Sequence, residues 1–216
     1  MVSSLRLATT SAFAVLLAVV GCIPFTVGST ARPVPAGERT QSSSFYIVPN
    51  SFDVDSAHSL SRMGSDTEIR YGLDNRSDVG LRVVGYTGAV VSYKRRLNGA
   101  TTDPGFALAA LGGVGLVNLG EHAHFEASLL ASGREGSITP YGGLRVMQVY
   151  PMSRGAVHDS PTIGAFFGLK LGDDFAISPE IGIFHDRSAL GIRTGSVIIV
   201  PAITISRTGN RHSGDF

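Results

Sequence analysis

From about residue 66 onward the chain alternates with period two. In Thr162–Leu171 the odd positions hold Ile163, Ala165, Phe167, Leu169 and Leu171, and the even ones Thr162, Gly164, Phe166, Gly168 and Lys170. Residues 175–184 repeat the scheme, with Phe175, Ile177, Ile181 and Ile183 against Ala176, Ser178, Glu180 and Gly182. Val197, Ile199, Ile203 and Ile205 make a further row. Successive side chains of a strand point to opposite faces, so each segment carries one aliphatic face and one small or polar face.

Earlier segments follow the pattern with more exceptions. Ile69 and Tyr71 oppose Glu68 and Arg70; Val79, Leu81 and Val83 oppose Gly80 and Arg82. Ala89, Val91 and Tyr93 oppose Ser92, Lys94 and Arg96, with Arg95 on the apolar side. Phe125, Ala127 and Leu129 oppose His124, Glu126 and Ser128, and Leu144 and Val146 flank Arg145. Residues 106–119 are apolar on both faces and give no orientation. Short turn-forming runs at 74–77, 118–121 and 172–174 read as hairpin connections, with longer breaks at 98–104, 152–161 and 186–195. The count is about nine strands, and a tenth if 45–54 pairs. Hairpins make the sheet antiparallel, and no helix is at hand to cover an open edge. The expected fold is therefore all-β, a closed antiparallel up-and-down β-barrel of about 8–10 strands.

Two solvents compete for the aliphatic face. Turned outward it meets lipid and the polar faces line a lumen; turned inward it builds a soluble, lipocalin-like barrel with a ligand cavity. The faces opposite the aliphatic rows carry Glu68, Arg70, Arg82, Lys94, Arg96, Glu126, Arg145, Lys170 and Glu180. Bases outnumber acids there, so pairing needs His124, water or an anion. Composition now helps. Only 16% of residues are charged and 27 are glycine, whereas a soluble barrel normally covers its outer face in Lys and Glu. Glycine suits a narrow lumen in which large charged side chains need small neighbours. Segments near ten residues also match the length that crosses a bilayer at a tilt. The outward orientation is favoured, with Glu68, Arg70, Arg82, Lys94, Glu126, Arg145, Lys170 and Glu180 as an interior polar cluster. A barrel of this size is largely filled by side chains, so an open porin is not expected.

The run from Tyr71 to Val83 (YGLDNRSDVGLRV) resembles an early hairpin of small outer-membrane β-barrel proteins, and Ser178-Pro179-Glu180-Ile181-Gly182 resembles a late strand. The resemblance spans about 66–206. Three features depart from it: Trp is absent and the aromatic girdles are thin, the last row ends near Ser206 before a polar tail, and the lipid anchor read below is an uncommon companion of a full barrel.

The N-terminus adds an address. Arg6, then the apolar run of residues 12–20, then Gly21 and Cys22, have the layout of a secretory signal. Val19-Val20-Gly21-Cys22 resembles the lipobox of bacterial lipoproteins, which implies that Cys22 is acylated and becomes the first mature residue. Ile23, rather than Asp, then implies sorting to the outer membrane of a Gram-negative cell. The chain has no other cysteine. Residues 1–21 are read as signal peptide, 22–44 as a lipid-anchored flexible tether rich in Pro, Gly and Ser, 45–207 as the barrel, and 208–216 as a polar tail.

Candidate chemistry changes little. A net charge of +1 gives no argument for nucleic acid. His122, His124 and Glu126 share a strand face, but nothing nearby completes a metal site. His185 and Ser188, with Glu126 or Glu180, are the only hydrolase suspects. They invite comparison with lipid A deacylases, whose His-x-Ser spacing they miss by one residue. No Gly-x-Ser-x-Gly elbow or P-loop is present. The expectation is a barrel without catalysis, cofactor or metal, surrounded by outer-membrane lipid, with a structural role or one in binding or passing a small solute or lipid.

Overall fold

A computed structural model describes residues 24–52, 60–100, 102–152, 161–187 and 194–209. Ten strands close into one barrel: β1 (Arg39–Phe52), β2 (Leu60–Gly72), β3 (Ser77–Val84), β4 (Gly88–Arg96), β5 (Ala107–Val117), β6 (His122–Ser132), β7 (Ile138–Pro151), β8 (Thr162–Leu171), β9 (Phe175–Arg187) and β10 (Thr194–Gly209). Each pairs antiparallel with its sequence neighbour, and β1 pairs with β10 from Arg39↔Gly209 to Tyr46↔Ala202 to shut the seam. The strand that was conditional in the sequence is β1, and it is the one that makes closure possible. We call the end where β1 finishes the upper end, and the end where β1 starts and β10 finishes the lower end.

The alternation falls as the outward orientation requires. Ile69, Leu81, Val91, Phe125, Leu144, Phe167, Ile181, Ile183, Ile203 and Ile205 are exposed on the outer wall, while Glu68, Arg70, Arg82, Lys94, Glu126, Arg145 and Glu180 are buried in the lumen. The lipocalin-like alternative, with the aliphatic rows inside, does not describe this barrel. Residues 106–119 also acquire a direction: Ala107, Ala109, Leu111 and Val117 face inward, Val114 and Leu116 outward.

Glycine placement has a steric cause that the register exposes. Tyr46 lies opposite Gly64, Tyr141 opposite Gly168 and Phe184 opposite Gly164. A Cβ on any of these glycines would sit 2.2–2.4 Å from the facing ring. Arg70 is likewise opposite Gly80, and Glu126 opposite Gly113. A large inward side chain is thus accommodated by an empty position on the adjacent strand.

The largest departure from expectation is the segment before β1. Residues 22–44 read as a flexible tether, yet Phe25, Thr26, Val27, Ala31, Arg32 and Val34 are buried inside the barrel, and β1 begins at Arg39 instead of 45. The physical reason is barrel width. Eight strands leave an interior that wall side chains can fill, and two further strands widen it. The strap of residues 24–38 occupies that extra space. It leaves at the lower end through a bend in which Gly37 has φ 79° and Gly37 N donates to Gly72 O at 3.0 Å. Gly72 is there because a Cβ would lie 2.0 Å from the Pro35 carbonyl oxygen. At the other boundary β10 runs to Gly209, two residues beyond the expected end. Cys22, the signal segment 1–21, and residues 210–216 of the expected tail lie outside the described residues.

Candidate functional site

The lumen has two layers. Toward the upper end, inward residues from seven strands and Phe25 of the strap form an apolar layer. It comprises Phe25, Tyr46, Val48, Val84, Val90, Val117, Met147, Val149, Phe184, Ile198 and Val200. Phe25 meets Phe184 edge-on at 5.4 Å between ring centres and Tyr46 at 6.4 Å. These residues are at most 7% exposed, so the layer is closely packed.

Below it lie the polar cluster and, beside it, a second apolar cluster of Val27, Ala31, Ala107, Ala109, Leu111, Leu130, Tyr141 and Phe166. Alternation on β2 aims Asp66, Glu68 and Arg70 inward, and on β3 it aims Asp78 and Arg82 inward. Glu68 is shared: its Oε1 is 2.6 Å from Arg70 Nη1 and its Oε2 is 3.1 Å from Arg82 Nη2. Arg70 Nε donates to Asp78 Oδ1 at 2.9 Å, and Nη1 donates to Ser92 Oγ at 3.0 Å. Lys94 Nζ is 3.5 Å from Asp78 Oδ2. Across the barrel Arg145 is hydrogen-bonded to Glu126, whose Oε2 is also 3.4 Å from His124 Nε2.

The wall charges grip the strap. Arg82 Nη1 and Arg145 Nη1 both donate to Thr26 O, at 3.0 and 2.9 Å. Glu180 accepts from Val27 N, Gly28 N and the Tyr141 hydroxyl, each at 3.0 Å. Lys94 donates to Thr30 O at 3.2 Å, and Asp78 Oδ2 accepts from Val34 N at 2.8 Å. At the lower rim Arg32 donates to the carbonyls of Pro104, Gly105 and Gly133 and pairs with Glu135 at 3.3 Å. An extended segment has no partners of its own for its amides and carbonyls, and buried backbone groups must find them. Here ionised side chains supply them, and charge-assisted bonds are the stronger kind.

Seven of the eight residues expected in the interior cluster, Glu68, Arg70, Arg82, Lys94, Glu126, Arg145 and Glu180, are buried within it. Lys170 stands apart. It is half-exposed and has no ion pair among the described residues. It lines a cavity of about 140 Å³ in the lower half, together with Ser29, Ser42, Ser178, Ser206 and Thr208. Room for several waters is available there. The apparent excess of bases is resolved by Asp78 and by strap carbonyls. Asp78 shares the parity of Gly80 and Arg82, a signal masked by its place after a turn-like Asp-Asn-Arg-Ser run. Arg32 had no signal, since nothing in a Pro- and Ser-rich stretch marks it for burial.

Among the described residues, His185 is not brought together with Glu126 or Glu180. His185 follows the fully buried Phe184, so its side chain leaves the outer side of the wall, whereas Glu126 and Glu180 point into the lumen. Ser188 lies outside the described residues.

No protein-family model matches the chain, and no curated protein matches it in sequence. Among solved structures it is similar to the outer membrane protein OprG from Pseudomonas aeruginosa, at 14% identity and TM-score 0.32, over 84% of this chain and 100% of that one. It is also similar to Ail, the attachment invasion locus protein of Yersinia pestis, at 11% identity and TM-score 0.33, over 80% and 97% of the two chains.

Proposed function

We propose that this protein is an outer-membrane barrel that crosses the bilayer through its strands, carries lipid on Cys22, and works as a structural element or small-solute binder without catalysis. One observation carries the reading: the outer wall is a continuous aliphatic band, while the charged side chains of the same strands are buried inside. In water that arrangement would expose far more contiguous apolar surface than a soluble monomer tolerates. In lipid it is the required one, because closure satisfies the backbone and the lumen takes the charges. The longest strands overshoot the band, and at the lower end the outward positions of β1 and β10 are Arg39, Gln41 and Arg207, suited to a headgroup region.

The closely packed upper layer and the strap favour binding or a purely structural role over passage of a solute. A bound solute would occupy the lower cavity beside Lys170, and its charge would be negative or polar to suit that lining. The test is extraction and electrophoresis. The full chain should stay in the membrane through high-salt and alkaline washes, dissolve only in detergent, and give a band whose mobility changes on boiling. A chain lacking residues 1–22 that is monodisperse in plain buffer would overturn the bilayer reading. Lipid attachment is read separately: labelling by a radioactive fatty acid should occur in the native chain and vanish in Cys22→Ser.

A further inference from the structure

In an up-and-down barrel with an even number of strands, the first strand begins and the last strand ends at the same rim. Here β1 starts at Arg39 and β10 finishes opposite it at Gly209, both at the lower end. The chain before β1 does not stay there. Its contacts, taken in order, climb the lumen as the residue number falls. Val34 N binds Asp78 at the lower start of β3, and Arg32 holds the lower connections at Pro104, Gly105 and Gly133. Thr30 O receives Lys94 from the lower half of β4, and Val27 and Gly28 bind Glu180 near the middle of β9. Phe25 ends among Val84, Val90 and Val117, the residues flanking the upper turns. Ten residues, 25–34, reach at most about 33 Å when fully extended, and the bends at Ser29, Ala31 and Arg32, with φ 61° at Gly28, make the climb shorter than that.

We infer that the chain meets the two faces of the membrane from opposite ends of the barrel, lying toward the upper face at Pro24 and reaching the lower face at Gly209. This rests on the bilayer-spanning reading.

The experiment places a protease site, flanked by a Gly-Ser spacer, either directly before Pro24 or directly after Gly209 in the full chain. Both are exposed to a membrane-impermeant protease in intact Gram-negative cells and in permeabilised ones. One site should be cut completely and the other spared in intact cells, and both should be cut after permeabilisation. Two sites cut, or two spared, in intact cells would overturn the inference, provided the same sample stays membrane-integral and heat-modifiable. A chain that instead partitions into buffer defeats the bilayer reading, so the two failures are distinguishable. Threading is read independently in a Cys22→Ser chain carrying Phe25→Cys and Phe184→Cys. A short thiol-to-thiol cross-linker should shift most of the folded protein on a gel, and no shift would overturn the strap's path.

Discussion

The upper and lower halves of the lumen fill the same cylinder by different chemistry. Above, Phe25 of the strap packs among Val84, Val117, Val149 and Phe184 and needs no polar partner for its side chain. Below, the strap is held chiefly by its backbone, with Thr26 O, Val27 N, Thr30 O and Val34 N all ending on charged side chains of the wall, while Val27 and Ala31 pack in a second apolar cluster with Ala107, Leu130, Tyr141 and Phe166. The upper half resembles the core of a soluble protein, so its stability should follow volume and shape. The lower half joins shared ions, in which Glu68, Asp78, Glu126 and Glu180 each serve two or more donors, to a second, smaller apolar cluster. Such ion networks contribute little over a well-packed apolar alternative, but they are costly to break, because a lone charge remains. The difference teaches that packing and gripping are separate tasks here, assigned chiefly to separate layers.

Substitutions can break or sharpen that contrast. The largest effect should come from Phe184→Ala in the upper layer. It should lower the unfolding free energy in detergent by about 3–5 kcal/mol, the cost of a buried aromatic plus its cavity. A loss under about 1 kcal/mol would mean that the layer is loosely packed. Next is the outer wall, common to both halves. Ile181→Arg, half-exposed at mid-strand, should cost about 2–4 kcal/mol in a bilayer and much less in a soluble setting. Equal cost in lipid and in detergent-free buffer would remove the reason to see the band as lipid-facing.

In the lower layer Glu68→Gln keeps the shape and removes the charge shared by Arg70 and Arg82. A loss of about 1.5–3 kcal/mol is expected, the worth of charged hydrogen bonds. It should shrink as salt rises if water reaches the network, and hold steady if the strap keeps water out. The smallest effect is a gain. Asn118 and Leu119 at an upper turn have φ of 54° and 56°, and Leu119 is 81% exposed. Leu119→Gly should add about 0.5–1 kcal/mol, as relief of left-handed strain outweighs glycine's entropy. Chemical denaturation of the two chains side by side checks it.

How much of this was legible in the sequence depends on how local the cause is. The outward rows, Ile177 to Ile183 or Ile199 to Ile205, follow from pleating alone, so alternation was sufficient. The inward orientation of Glu68, Arg82 and Glu126 followed by the same parity. The strand over residues 39–44 was not legible, because Arg-Thr-Gln-Ser-Ser-Ser has no apolar period; its pairing with residues 66–71 of β2 and 204–209 of β10 makes it a strand. The strap was misread for a related reason. Pro24, Pro33, Pro35, Gly28 and Gly37 suit a flexible tether in water, and equally suit a cord that bends inside a tube. Only the closure of ten strands creates the tube, and no window of sequence contains that fact.

The seam between β1 and β10 has a consequence for how the molecule is made. A cord that lies within a ring cannot be laid there once the ring is shut, unless its free end is pushed through. The residues next to the cord in the chain are those of β1, one lip of the seam. Assembly therefore has a natural order: hairpins β2 to β9 curl first around the incoming N-terminal residues, and β1 zips to β10 last. The final hydrogen bonds are formed by the strand that has just emerged from the interior, so the clasp and the cord are one continuous piece.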